Sequence, residues 1–429
     1  MHGNNIFENW SSSHQKEFDS QLKIISSNVI EITPFEEFEY LLKKSIYTNT
    51  PLRVKCGIDP TLSEIHLGHL VPYKKMRAFQ NLGHVGVVIF GDYTAQIGDP
   101  TGKTQSRVAI SEEVVKKNAE SFLEQIHTVI DPNKVEIRYQ SEWFSKVQLK
   151  DILGWCMETT VAKLLSHETF ALRIKDGKPL GLHEFMYPVL QGMDSVYVKS
   201  DVELGGGDQR FNVLMGRDYQ RNRNLSCQVA ILLPIIRGTC GQQKMSKSLG
   251  NFIGVRDTPK DKFGKIMRIP DSMLEEYYRY LLDLTSGEWE AIAKGLSDQT
   301  LHPNVVKKDL AKRVVAFFHT DVVAQKEKDE FEALFSSGNK GNIPEDTPTV
   351  SCKIGEAILD VLLNSKMIET KAEGRRLFKQ NAVSLIYLND NSKVVKLSEK
   401  DALMNVDETL DAVCIKLGKL KYLKLQIIT

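Results

Sequence analysis

At 429 residues the chain has room for two or three domains and a large buried core. With 41% hydrophobic and 26% charged residues and a net charge of +1, it is no disordered tail, and it carries no global field for nucleic acid. Six scattered cysteines without a C-x-x-C pair argue against a zinc site and for a reducing compartment. With no apolar leader and no long apolar run, the expectation is a cytoplasmic protein that does not span a membrane.

Residues 1–50 read as helical, with Phe35, Phe38, Leu41, Leu42 and Ile46 near one face. "LRVKCGIDP" reads as a short strand ending in a turn. "HLGHLVPYKKMRAFQNLG" follows as an amphipathic helix closing at Gly83, and "HVGVVIFGD" as a buried strand. This is a βαβ unit. Helix is expected over 111–131, strand over 134–140 and helix again over 149–170. "HEFMYPVLQGMDSVYV" begins helical, "DVELGGGDQRFNVLMGRDYQ" runs strand, glycine turn, helix, and "QVAILLPII" is another buried strand. The alternation predicts a doubly wound α/β domain with a Rossmann-like parallel sheet over residues 1–255. Residues 256–336 read as almost wholly helical, 337–348 as a linker rich in Gly, Pro, Ser and Asn, and 349–429 as a small α+β unit.

Two motifs carry chemistry. "HLGH" (66–69) opens a helix directly after a turn, where free N–H groups and a partial positive charge attract phosphate. His66 and His69 share one face of the first turn, and Gly68 allows a flat group close to the backbone. The plain alternative is two histidines on a helix face; a metal pair lacks a third ligand nearby. "KMSKS" (244–248) puts Lys244 and Lys247 on an exposed loop, where ammonium groups can neutralise charge developing on a leaving pyrophosphate. Its plain alternative is a solvated basic loop.

In this order, on a doubly wound domain, the two motifs resemble the signatures of the class I aminoacyl-tRNA synthetases. "GIDPTLSEIHLGHLVPYKKMRAFQNLGH", "GDYTAQIGDPTGK", "EFMYPVLQGMDS", "GGGDQRFN" and "QKMSKSLGN" narrow the resemblance to the bacterial tyrosyl-tRNA synthetase family, over essentially the whole chain. The resemblance implies a two-step reaction. Tyrosine is activated with ATP and its Mg²⁺ to the adenylate, which is then transferred to the end of tRNA(Tyr), with no tightly bound protein metal. It also implies a homodimer.

By motif match, Thr61, His66, His69, Lys244, Lys247, Lys103 and Arg107 would serve catalysis at the phosphates. Cys56, Gly57, Asp59, Gly68, Gly206, Asp208 and Met245 would line the ATP site. Lys55, Thr94, Asp99, Tyr187, Gln191, Asp194 and Gln209 would form the amino-acid site. Asp99, Tyr187 and Gln191 match the acceptors of the α-ammonium, and Asp194 matches the aspartate that accepts the phenolic O–H. A buried carboxylate there discriminates against phenylalanine, because that ligand leaves it unpaired.

The chain departs from the family pattern at Lys55, Ala95, Gln96, Gln140, Met193 and Gly207. Drift with tyrosine retained is one reading. A paralogue that activates a tyrosine-like amino acid, or an inhibitor-resistant second copy, is another. In the tail, Lys371, Arg375, Arg376 and Lys379 gather on one helix beside short strands, similar to the S4 RNA-binding module. A non-catalytic RNA-binding regulator is the alternative of a different class, and the intact "HLGH" and "KMSKS" argue against it.

Overall fold

The computed structural model describes residues 7–101, 111–335, 343, 347–388, 390–410, 412–418 and 421–428. It forms two compact units, Met1–Asp321 and Val322–Thr429.

The first unit is built on a six-stranded sheet. Its strands are β1 (Glu31–Thr33), β2 (Arg53–Ile58), β3 (Val85–Phe90), β4 (Val135–Tyr139), β5 (Val202–Gly206) and β6 (Val229–Leu233), in the order β1-β6-β5-β2-β3-β4. All neighbours are parallel except β1 and β6. The apolar runs of β3 and β6 are buried along almost their whole length, as a sheet covered on both faces requires. The chain winds from β2 out to β4, then returns to lay β5 and β6 on the other side of β2. The winding therefore reverses between β2 and β5, where doubly wound sheets open a crevice at their carboxyl ends.

The helix Leu67–Asn81 crosses from β2 to β3. It starts after His66 in extended conformation and stops where Gly83 takes φ +94°, a left-handed geometry that glycine adopts without a Cβ penalty. The expected helix over 149–170 is instead three short ones, Leu149–Met157, Val161–Leu165 and Glu168–Lys175. Side chains of Thr160 and His167 accept from the backbone N–H of Lys163 and Thr169, and so restart the helix twice. β1 interrupts the expected N-terminal helical stretch; three residues are too few to show a period of two.

Beyond the sheet, helices Pro259–Met267, Leu274–Leu282, Ser286–Ser297 and Pro303–Phe318 follow the expected helical pattern. Phe263, Ile266, Tyr277, Leu310 and Val315 are among their buried residues. Lys262 is buried, with Nζ donating to the carbonyl of Val255 at 2.7 Å.

The second unit holds a five-stranded sheet: β7 (Thr349–Lys353), β8 (Val383–Tyr387), β9 (Asp390–Leu397), β10 (Val413–Leu417) and β11 (Lys421–Ile428), ordered β7-β11-β10-β8-β9. Helices Ile358–Asn364 and Lys371–Lys379 bury Ile358, Leu362 and Phe378 in a core shared with Val383, Leu385 and Ile415. β7 is the only parallel neighbour in this sheet among the described residues, paired with β11, and the sequence pattern misses it.

Candidate active site

A cavity of about 1060 Å³ lies at the carboxyl ends of β2, β3, β5 and β6. Every catalytic, ATP and amino-acid residue expected from sequence lines it, apart from Lys55 and the pair Lys103 and Arg107. Lys103 and Arg107 lie outside the described residues.

Backbone pairing joins the two signature motifs. His66 and Gly254 form an antiparallel bridge, Leu67 N donates to the Ile253 carbonyl at 2.9 Å, and Val255 N to that of Ile65 at 2.9 Å. The end of the lysine loop is thereby fastened to the first turn of the histidine helix. Within the loop, Asn251 accepts from Ser246 N at 2.8 Å and donates to the Lys244 carbonyl at 3.1 Å, while Met245 N donates to the Ile236 carbonyl at 2.9 Å.

The two imidazoles stack with centroids 3.8 Å apart. His69 Nδ1 accepts from His66 N at 3.2 Å, which leaves the His69 proton on Nε2. Burial, then His69, Lys247 and Lys244, drive the His66 ring down to about 2. Burial and the two lysines drive His69 down to about 4. Both rings are therefore neutral at pH 7 and can only donate a hydrogen bond to phosphate, not an extra charge. A Cβ on Gly68 would stand 3.1 Å from His66 Nδ1, so glycine keeps that ring edge clear.

The positive charge comes from the lysines. Lys247 Nζ pairs with Glu64 Oε2 at 2.7 Å and Lys244 Nζ approaches Asp208 Oδ2 at 3.7 Å. Burial raises the Asp208 carboxyl, with Lys244 opposing.

Asp194, buried, also lines the cavity. Gln140 Nε2 donates to its Oδ2 at 2.8 Å and Trp143 Nε1 to its Oδ1 at 3.2 Å. Burial lifts this carboxyl to about 7, against the pull of Lys55, Gln140 and Trp143 and with a push from Glu203. Gln140 Oε1 in turn accepts from Thr94 N at 2.9 Å. The Thr94 hydroxyl donates to Asp59 Oδ1 at 2.7 Å, and Tyr187 Oη donates to Asp59 Oδ2 at 3.0 Å. A Cβ on Gly91 would fall 2.2 Å from Thr94 Oγ1 and 2.3 Å from Asp59 Oδ1, so this crossing tolerates only glycine there. Asp59, expected beside ATP, is thus bonded to residues of the amino-acid set. Asp99 accepts from Thr101 N and from Gln209 Nε2, both at 2.8 Å.

Lys55 lies beneath the cavity, fully buried. It faces Glu203 directly in the register of β2 and β5, Nζ to Oε1 at 3.0 Å, and donates to Ser195 Oγ at 2.8 Å and the Gln191 carbonyl at 3.1 Å. The sequence holds a signal for this pair: two opposite charges, Lys55 between Val54 and Cys56 and Glu203 between Val202 and Leu204, sit among buried apolar neighbours and need one another.

The departures from the family pattern separate. Ala95 lines the cavity and Gln140 holds Asp194. Gln96 is exposed, donating to the Asp92 carbonyl at 2.9 Å, so no amide is buried there. Met193 is buried among Trp143, Val189 and Tyr219, and neither it nor Gly207 lines the cavity. Sequence reasoning names Gln140 only as a departure, and passes over Glu203, Glu64 and Trp143.

In the second unit, Lys371, Arg375, Arg376 and Lys379 are all exposed on the helix Lys371–Lys379, and Lys371 is paired with Asp360.

Residues 47–336 match the family described as tRNA synthetases class I (W and Y). A tyrosine–tRNA ligase of Desulfotalea psychrophila is 40% identical over 95% of this chain and 98% of its own. That of Carboxydothermus hydrogenoformans is 41% identical over 95% and 98%. Tyrosine–tRNA ligase 2 of Clostridium acetobutylicum is 37% identical over 96% and 100%. Among solved structures, a tyrosyl-tRNA synthetase from Archaeoglobus fulgidus complexed with L-tyrosine superposes with a TM-score of 0.59. At 24% identity over 72% of this chain and 99% of that one, it shares the fold.

Proposed function

The chain belongs to the bacterial tyrosine–tRNA ligases, class I aminoacyl-tRNA synthetases that activate tyrosine with ATP and charge tRNA(Tyr), and from that premise we propose how its residues divide the work. The observation that carries the reading is one cavity lined by both motifs and by Asp194.

Tyrosine enters with its phenol toward Asp194 and its ammonium toward Asp99, Tyr187 and Gln191. Its carboxylate attacks the α-phosphorus of ATP, and the bond to the bridging oxygen breaks to release pyrophosphate. No covalent intermediate with the protein is needed. Alignment of the two reactants and stabilisation of the phosphate charge supply the rate. His66, His69 and Thr61 donate neutral hydrogen bonds, and Lys244 and Lys247, with Lys103 and Arg107, bring the positive charge. Mg²⁺ comes as part of the substrate, carried on the phosphates of ATP. Cys56, Gly57, Asp59, Gly68, Gly206, Asp208 and Met245 form the nucleotide side, and Asp208 accepts from the ribose. The 2′-hydroxyl of the terminal tRNA adenosine then attacks the adenylate carbonyl and AMP leaves.

We assign residues 1–255 to catalysis, 256–336 to a helical anticodon-binding domain and 349–429 to an S4-like RNA-binding domain, joined by 337–348. Lys371, Arg375, Arg376 and Lys379 contact tRNA phosphates. The protein acts as a cytoplasmic homodimer, and exposed Leu149, Leu153, Met157 and Leu182 supply an apolar surface for the partner. Among the described residues no helix is long and apolar enough to cross a membrane.

Amino-acid-dependent ATP–pyrophosphate exchange tests the reading, with tyrosine, phenylalanine, meta-tyrosine, dihydroxyphenylalanine and O-methyltyrosine as the panel. Strong exchange with tyrosine alone is expected. Preference for another member would make Ala95 and Gln140 a rebuilt pocket.

A further inference from the structure

Glu203 has no role in the chemistry above, yet it is buried beside the cavity and gathers four donors. Lys55 Nζ stands 3.0 Å from Oε1, Gln191 Nε2 donates to Oε1 at 3.2 Å, Ser195 Oγ donates to Oε2 at 3.1 Å, and Gln228 Nε2 also donates to Oε2. A carboxylate can only accept, so the side of the Gln191 amide that faces it must be the NH₂. The amide is then fixed with its oxygen on the opposite side. That oxygen is buried and has no partner among the described residues, although Gln191 lines the cavity. An orphaned buried acceptor costs free energy until a donor reaches it.

We propose that Glu203 is a positioning residue: it locks the Gln191 amide in the orientation that offers an acceptor to the substrate's ammonium, and Lys55, paired with it across β2 and β5, holds Glu203 in place. Without Glu203 the amide is free to turn its NH₂ toward the ammonium, where two donors would oppose one another. A buried ion pair of this kind adds little net stability over an apolar pair of similar size, so orientation is the better account of its presence. This rests on the assignment of Gln191 to the ammonium.

The full chain carrying Glu203→Gln keeps an acceptor for Lys55 but offers Gln191 either a donor or an acceptor. In pyrophosphate exchange its KM for tyrosine rises by on the order of ten-fold while kcat changes little, the mark of lost uniform binding. Inhibition by tyrosinol, which keeps the ammonium, weakens in parallel; inhibition by 3-(4-hydroxyphenyl)propionate, which lacks it, does not. Adding Glu203→Gln to Gln191→Ala produces no further loss. Equal weakening of both inhibitors, or an unchanged KM for tyrosine, overturns the positioning role. If Gln191→Ala alone leaves the KM for tyrosine unchanged, the ammonium assignment falls and the proposal with it. If Glu203→Gln does not fold, Glu203→Asp keeps the charge and draws it back by one methylene; a smaller rise in KM for tyrosine, selective for tyrosinol, is expected, and wild-type behaviour overturns the proposal.

Discussion

Gln140 Nε2 donates to Asp194 Oδ2 at 2.8 Å while the same amide's oxygen accepts from Thr94 N at 2.9 Å. One side chain therefore orients the proposed phenol acceptor and ties it to Thr94, whose hydroxyl in turn donates to Asp59. Gln140→Leu keeps the bulk and removes both bonds. A hydrogen bond to a charged group is worth about 1.5–3 kcal/mol, so kcat/KM for tyrosine should fall by roughly 10- to 100-fold. Exchange with phenylalanine should hardly move, and an equal fall for both amino acids would show a general collapse of the pocket.

Asp194→Ala removes the acceptor itself. Discrimination against phenylalanine, of the order of 10⁴–10⁵ for a site built to bond a hydroxyl, should drop by most of that factor. The ratio of kcat/KM for the two amino acids measures it, and an unchanged ratio takes Asp194 out of the phenol site.

The same carboxylate makes stability depend on pH. Burial raises it from 3.8 to about 7, so the folded chain holds this proton more tightly than the unfolded chain. The stability it contributes is full below about 4 and is lost as pH rises through about 7. Asp194→Asn is neutral throughout and escapes that loss. Its denaturation midpoint should gain on wild type between pH 4 and pH 7 and run parallel above. A difference independent of pH would mean that the carboxyl is not shifted.

Lys247→Ala should slow adenylate formation by the ~3–4 kcal/mol typical of one lost donor to transition-state charge, with tyrosine affinity unchanged. Pre-steady-state rates decide this. Its partner behaves differently. Glu64 is half exposed, so Glu64→Gln should cost less than about 1 kcal/mol of stability. It also frees Lys247 from a competing carboxylate, so the KM for ATP should fall or stay level; a marked rise would give Glu64 a direct role with the nucleotide.

Arg375→Glu with Arg376→Glu should weaken tRNA charging and reduce the salt slope of tRNA binding by roughly one per lost phosphate contact, leaving pyrophosphate exchange intact. Undiminished charging would remove this helix from the RNA surface.

Much of this was legible in the chain. The histidine and lysine motifs, "YPVLQGMD" and the alternation of strand and helix carry their own local patterns, and the motif residues meet in one cavity. What escaped depends on partners far away in sequence. Glu203 is an odd charge in an apolar strand until Lys55 stands opposite it. Glu64 is an ordinary surface acid until the loop brings Lys247 within 2.7 Å. A buried Gln96 amide would be costly, but a four-residue helix turns it to solvent, and only the backbone geometry of Thr94–Ile97 decides that.

β1 has a consequence for synthesis. Its Glu31 pairs with Leu232 of β6, so the first strand made is completed by the last of the sheet. At about 5–20 residues per second, a ribosome needs roughly 10–40 s to deliver the partner. Through that interval β1 has nowhere to dock, and once β6 emerges its outer edge is bare until β1 closes over it. A nascent chain that stalls between the two is the one most exposed to joining a neighbour's sheet instead of its own.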